Sequence, residues 1–283
     1  MKTEKLEIMS YAKINLGLKI VRRRDDGYHD IETIFKAIGI HDVVSIEKNT
    51  RKTLTSNRSD VPIGDDNICM KALHALEKIT GQTINASIHI EKTIPIGAGL
   101  GGGSSNGAGV LVGCNRLFRL NLDEKTLFEL GASLGSDVPF FVGQLLGKGS
   151  TALGRGRGEI LDFISWPLDE KILLVNPHIH ISTPWAYQNY KTFLNERKQP
   201  DRIIRLSASL PFSFSMENDF EPLVFSQFPA VQSIRRTLES ENAVLSRMSG
   251  SGSTVFGLFN PSADIDYLSE KFPEYFSTVC RFV

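Results

Sequence analysis

The chain has 283 residues and a mass of 31.4 kDa, with 32 Lys and Arg against 32 Asp and Glu. That length suits one or two ordinary domains, and 41% hydrophobic with 23% charged residues supports a sizeable core and argues against intrinsic disorder. A net charge of zero argues against a general nucleic-acid binder, leaving room for a local patch that grips phosphate. Cys69, Cys114 and Cys280 are far apart and form no CxxC pair, so a disulfide framework or zinc knuckle is not expected and they read as inert thiols in a reducing compartment. No secretory apolar stretch opens the chain, and no run reaches the roughly 18 apolar residues of a membrane span. The expectation is a cytoplasmic protein with no membrane and no nucleic-acid partner.

In chain order, Ser10 to Val21 alternates, with Ala12, Ile14, Leu16 and Leu18 on one face and Lys13 and Asn15 on the other. Period two reads as a half-buried strand, and on that basis alone Lys13 and Asn15 belong to a solvated face. The turn-rich Arg22 to Gly27 breaks it. Strand-like pieces follow at 31–40 and 42–46, and the polar stretch 48–60 reads as a hairpin edge or exposed loop. Asp66 or Asn67 would cap a helix through Ala72, Leu73, Leu76 and Ile79 that Gly81 ends. A strand is expected over 83–90, then a glycine loop, a helix through Leu111 and Phe118, and another over 123–134. Glycines 143, 147, 149, 154, 156 and 158 read as a loose zone, and the domain boundary is placed at its end, giving 1–158 and 159–283. The second part shows a strand at 171–175, a helix near 229–238 and a strand at 255–259.

Five of the seven positions 97–103 are glycine, between a strand and a helix that opens with Ser104, Ser105 and Asn106. Glycine weakens regular structure, so this density implies a special backbone path. Unpaired amides at a helix start favour an anion, and small residues let phosphate oxygens come close. The loop reads as a phosphate cradle, the alternative being a tight connection. It is not a Walker A loop, because no Lys follows the last glycine, and the protein-kinase HRD and DFG motifs are missing. Gly97, Gly99 and Gly102 do satisfy GxGxxG, with Asp123 suitably onward, so a nicotinamide dinucleotide-binding oxidoreductase stays open. Against it, Asp123 looks like a helix cap.

The segment Pro95-Ile96-Gly97-Ala98-Gly99-Leu100-Gly101-Gly102-Gly103-Ser104-Ser105 resembles the second motif of the GHMP kinase superfamily, which includes galactokinase, homoserine kinase and mevalonate kinase. Residues 11–16 resemble its first motif, and 248–252 its third. Residues 26–29, 135–141, 154–159 and 218–221 are similar to the branch that acts on 4-diphosphocytidyl-2-C-methyl-D-erythritol. The matches keep family order over most of the chain. The resemblance implies an α+β, two-layer, two-domain GHMP kinase fold with the active site in the cleft between domains. It implies transfer of the ATP γ-phosphate to the 2-hydroxyl of that cytidine diphosphate substrate, with another alcohol such as homoserine or mevalonate as the alternative acceptor.

It also implies roles. Lys13 orients the catalytic carboxylate and neutralises charge, and Asp137, which by itself reads as a helix cap ahead of Pro139, accepts the acceptor's proton. Phosphoryl transfer is loose, so Asp137 accepts late rather than stripping the proton first. Pro95, Gly97, Gly99, Leu100, Gly101, Gly102, Gly103, Ser104 and Ser105 surround the ATP phosphates, while Asn67 and Lys92, otherwise an ordinary cap and an edge lysine, lie near the adenine. Asn15 bonds the substrate, Tyr28 and Tyr187 clamp the cytosine, and His29 pairs with its edge. Thr183 matches the substrate segment, and Gly250, Ser251 and Gly252 approach phosphate or substrate. Mg²⁺ is expected with ATP; Ser105 is the candidate serine ligand, no glutamate matches, and the remaining protein ligands are open. A monomer or homodimer fits equally well.

Overall fold

The computed structural model describes residues 4–194 and 216–283. The chain forms two compact units, one from Met1–Ala12, Ile40–Ile96 and Gly101–Ser150, the other from Lys13–Gly39, Gly97–Leu100 and Thr151–Val283. They are discontinuous in sequence because two paired strands, β1 (Lys5–Arg23) and β2 (His29–Lys48), give residues to both. A single cut after residue 158 therefore does not reproduce them. The two strand pieces read at 31–40 and 42–46 are one continuous strand, β2.

The first unit adds β3 (Thr53–Ser56), α1 (Ile68–Thr80), β4 (Ala86–Glu91), α2 (Gly102–Leu117), α3 (Glu124–Leu134) and α4 (Val138–Leu145). Asn67 caps α1 by accepting the Cys69 amide at 2.8 Å, and Gly81 closes it in the left-handed conformation, as their residue types predict. Cys69, Met70, Ala72, Leu73 and Leu76 line the buried face of α1. β4 runs antiparallel to β2 and parallel to β3. The polar stretch 48–60 thus holds an edge strand, although not a hairpin edge. Leu54 is its buried anchor, and Ser56 Oγ donates to the Ile90 carbonyl at 2.9 Å. After α2 the chain continues into α3 and α4 rather than into another parallel strand, which removes the βαβ frame a dinucleotide fingerprint needs. Asp123 caps α3, accepting the Thr126 amide at 2.8 Å.

The second unit adds β5 (Thr151–Arg155), β6 (Ile160–Phe163), β7 (Lys171–Asn176), α5 (Thr183–Leu194), α6 (Glu221–Gln227), α7 (Pro229–Ser240), β8 (Leu245–Met248), β9 (Val255–Phe259) and β10 (Phe276–Cys280). The glycine-rich zone is not loose throughout. β5 pairs antiparallel with β2 and β6, and Gly154 lets β5 lie against Phe35, whose Cε2 would be 2.7 Å from an added Cβ. Among the described residues, β10, β7, β9 and β8 form an antiparallel sheet in that order. Leu18, Leu173, Phe220, Val224, Val231 and Phe259 belong to the core this unit builds for itself.

Candidate active site

Lys13 and Asn15 are buried, at 3% and 2% exposure, which corrects the solvated-face reading. Alternation does set their direction along β1, but that face is covered too. A buried ammonium needs compensating partners. Lys13 Nζ donates to Asn15 Oδ1 at 2.7 Å and to the Gly99 carbonyl at 3.0 Å, and stands 5.7 Å from the centre of the Phe35 ring. Asn15 Nδ2 donates to Thr33 Oγ1 at 2.7 Å, and Thr33 passes the chain on to the Gly17 carbonyl. Ser249 Oγ donates to the same Gly99 carbonyl at 2.9 Å and accepts the Asn15 amide. One loop carbonyl therefore gathers a lysine from β1 and a serine from the turn after β8. Sequence reasoning missed Thr33, a lone hydroxyl with no pattern, and gave Ser249 no role although it lies in the 248–252 segment.

The glycine loop alternates. Ala98 and Leu100 are buried anchors, while Gly97, Gly99 and Gly101 take positive φ of 64°, 78° and 71°. At Gly99 a side chain is excluded twice, by that φ and by the Ser249 carbonyl, against which a Cβ would be driven. Gly101 is the N-cap of α2 and supplies no side-chain cap, and the first helical bond runs from the Ser105 amide to the Gly101 carbonyl at 2.9 Å. The amides of Gly102, Gly103 and Ser104 thus begin a helix without a capping side chain, at its positive end. Gly103 is exposed, and a Cβ there would meet nothing within 4 Å. Neither backbone nor packing asks for glycine at 103. Pro95 and Ser104 are half-buried and Ser105 is buried.

Lys92 is not an edge lysine. It is buried, ion-paired with Asp42 and donating to Asn106 Oδ1 at 3.3 Å. Asp42 also accepts Asn106 Nδ2 at 2.9 Å and the Thr93 and Ile94 amides at 2.8 Å. This cluster ties the chain entering the loop to α2, and a Cβ on Gly102 would lie 2.8 Å from Lys92 Nζ. Asn67 spends its amide on the α1 cap and on the Pro62 carbonyl. Asp137 occupies the N-cap position of α4 with Pro139 in the first turn, yet makes no side-chain cap bond. Its own φ and ψ of −85° and −17° are already helical, unlike the extended backbone of a bonding cap. The side chain is half-buried. Among the described residues no cluster of three or more His, Cys, Asp or Glu could hold a metal ion.

A second constellation lies around the β1–β2 turn. Tyr28 is 55% exposed, and the Arg157 guanidinium stacks 4.9 Å from its ring centre. His29 stacks on Tyr187 with centroids 5.0 Å apart and planes 18° apart, and Tyr187 meets Phe220 edge-on. Burial, and then the Arg23 charge, hold the His29 pKa below the usual imidazole value, so the ring is neutral at pH 7 and can pair with a base edge. Thr183 Oγ1 and Ser251 Oγ share a hydrogen bond of 3.1 Å. Gly250 and Gly252 take positive φ of 59° and 92°. Trp185, whose bulk the sequence did not explain, packs edge-on against Phe228. Arg157 was legible only as part of the 154–159 segment, with no pointer to Tyr28.

Residues 67–144 match the family described as GHMP kinases N terminal domain, and residues 197–278 match GHMP kinases C terminal. A "4-diphosphocytidyl-2-C-methyl-D-erythritol kinase" from Pelodictyon phaeoclathratiforme is 40% identical over 260 residues, 90% of this chain and 88% of that one. The chain belongs to the GHMP kinases. A crystal structure of 4-(cytidine 5'-diphospho)-2C-methyl-D-erythritol kinase superposes with a TM-score of 0.76 at 30% identity, covering 98% of this chain and 99% of that one. A homoserine kinase from Cytophaga hutchinsonii, 14% identical, superposes with a TM-score of 0.68 over 100% of this chain and 96% of its own, a likeness of fold alone. As a GHMP kinase the chain has the mixed helix and sheet architecture of that family, and its glycine loop lies within the residues matched to the N terminal domain.

Proposed function

We propose that this GHMP kinase transfers the γ-phosphate of ATP to the 2-hydroxyl of 4-diphosphocytidyl-2-C-methyl-D-erythritol, releasing ADP, in non-mevalonate isoprenoid precursor synthesis. The observation that carries the reading is the buried Lys13 ammonium bonded to the Gly99 carbonyl of a loop that runs into the uncapped start of α2. The loop and helix amides bind the triphosphate, which their direction and dipole favour. Lys13 orients the reacting groups and balances the charge that develops in transfer, and Asn15, fixed by Thr33, turns toward the substrate. Asp137 accepts the hydroxyl proton late, which suits a carboxylate and a loose transition state. Tyr28, His29 and Tyr187 take the cytosine, with Thr183, Ser251 and the two glycines beside it completing the substrate side. Mg²⁺, if bound with ATP, would supply charge neutralisation at the phosphates. The family resemblance makes Ser105 the residue that would help hold it, and the described residues contain no cluster of three or more His, Cys, Asp or Glu for it.

The sequence divides its labour at 1–158, carrying the ATP loop, and 159–283, carrying most substrate residues; the family matches at 67–144 and 197–278 fall on either side. The enzyme is proposed to work in the cytoplasm as a monomer or homodimer; among the described residues no helix is long and apolar enough to cross a membrane.

The test is coupled ADP release with the cytidylylated alcohol, homoserine and mevalonate as separate acceptors. Turnover with the first alone is expected; turnover only with another acceptor overturns the substrate, and nicotinamide binding without ADP release overturns the class. In the same assay Asp137→Ala is expected to lower kcat by roughly 10²–10⁴-fold while ATP still binds. Near wild-type turnover would remove Asp137 from the chemistry.

A further inference from the structure

Four consecutive residues, Asn218 to Glu221, lie ahead of and at the start of α6, and none of the roles above uses them. Asn218 is buried at 3% exposure, and both of its amide hydrogens and its carbonyl oxygen are engaged. Its Nδ2 donates to the Met248 carbonyl at 2.7 Å and to the Gly250 carbonyl at 2.8 Å, while Oδ1 accepts the Phe220 amide at 3.0 Å. On one side the segment is bound to β1. The Leu18 amide donates to the Glu217 carbonyl, the Asp219 amide to the Leu18 carbonyl, and the Asp219 carboxylate accepts the Ile20 amide at 2.7 Å. On the other side the Glu221 carboxylate accepts the Met248 amide at 2.8 Å. A Cβ on Gly250 would lie 3.4 Å from Asn15 Oδ1 and from the Gly99 carbonyl, and 3.5 Å from Lys13 Nζ. The turn that Asn218 grips is thus the one that meets the lysine, the asparagine and the loop carbonyl.

We infer that Asn218 is a positioning residue of the transfer reaction: its carboxamide fixes the Gly250–Gly252 turn in register with β1, and so with Lys13 and Gly99. The kinetic part of this inference rests on the proposed phosphoryl transfer; the positional part does not. Two carbonyls on one side chain require two donors in a fixed fork, which only an amide of this length supplies here. A buried carbonyl deprived of its donor drives the turn to seek another arrangement.

Asn218→Asp keeps the volume and the acceptor for Phe220 but turns an oxygen toward both carbonyls. The expected result is a kcat lower by roughly 10–100-fold, the scale of a misplaced reacting group, with the ATP KM little changed. Hydrogen exchange on the full chain reads the position without activity. The Ser249 and Gly252 amides, which donate to the Thr254 and Ser249 carbonyls, are expected to exchange at least about tenfold faster, while those of β7 and β9 keep their protection. Asn218→Ser, which retains one donor, is the second variant should the aspartate fail to fold. Leu238→Ala, a cut in the core of this unit, calibrates plain destabilisation.

Unchanged kcat and unchanged exchange at 249–252 in a folded variant overturn the inference. So does a kcat loss that disappears on cooling in step with Leu238→Ala. If the wild type transfers no phosphate to the cytidylylated alcohol, the proposed function falls, and the exchange measurement alone decides the place of Asn218.

Discussion

Tyr28 presents more than half of its surface to solvent while Arg157 covers part of its ring. An aromatic ring left this exposed gains little from the core, and a stacked base would be worth roughly 1–3 kcal/mol to it. Tyr28→Ala is therefore expected to raise the KM for the cytidylylated alcohol by about 5–150-fold, the same free energy written as a ratio, with the ATP KM scarcely moved. Steady-state kinetics with each substrate varied in turn checks this, and equal effects on both would take the clamp away from Tyr28. At this scale the chain was unevenly legible. The direction of Lys13 and Asn15 could be read from the alternation along β1, but their burial could not, because the cover comes from Gly99 and Ser249, 86 and more residues away. Asp42 and Asn106 were invisible for the same reason. A buried carboxylate shared by Lys92, Asn106 and two backbone amides leaves no local trace in a sequence.

Among the elements, the start of α2 separates glycines that the fold needs from one that it does not. Gly99→Ala must hold a positive φ and press a methyl on the Ser249 carbonyl, so a loss on the order of 1–3 kcal/mol is expected in thermal or urea unfolding. Gly103→Ala points a methyl into open space from a helical backbone and gains about 0.8–1.0 kcal/mol of helix propensity. That variant is expected to be no less stable than the wild type and yet to show a markedly higher ATP KM, because on the proposed reading the methyl would stand where phosphate oxygens approach the amides. A stable Gly103→Ala enzyme with an unaltered ATP KM would move the nucleotide away from this helix end. Elements with strong end signals were legible. Asn67, Gly81 and Asp123 mark α1 and α3 where they begin or stop. β3 and β5 were not, since Thr53–Ser56 has one buried apolar side chain and Thr151–Arg155 sits among glycines. Their pairing partners, rather than their own composition, make them strands.

Across the whole molecule, the family could be read because its motifs keep their order along most of the chain, whereas the compact units could not, because β1 and β2 serve both and residues 97–100 leave their neighbours. The cysteines offer a way to watch one unit open. Cys69 on α1 and Cys114 on α2 are fully buried, and burial pushes both thiols up to about 12. For Cys69 the nearby Lys92 charge opposes that rise and Asp42 adds to it. A thiolate is the reactive form, so neither side chain should react with a thiol reagent at pH 8 while the first unit stays closed. Labelling then reports the fraction of time the unit spends open. On the proposed reading, ATP bound at the start of α2 would favour the closed form by RT ln(1 + [L]/Kd), about 2.7 kcal/mol at a ligand concentration of 100 Kd. The expected outcome is a labelling rate at Cys114 that falls roughly 100-fold at that concentration, followed by mass spectrometry of the Cys114 peptide under conditions where closing outruns reaction. A denatured sample should label both cysteines at once. A rate at Cys114 that saturating ATP does not alter would mean that the nucleotide does not use the end of the helix that carries this thiol.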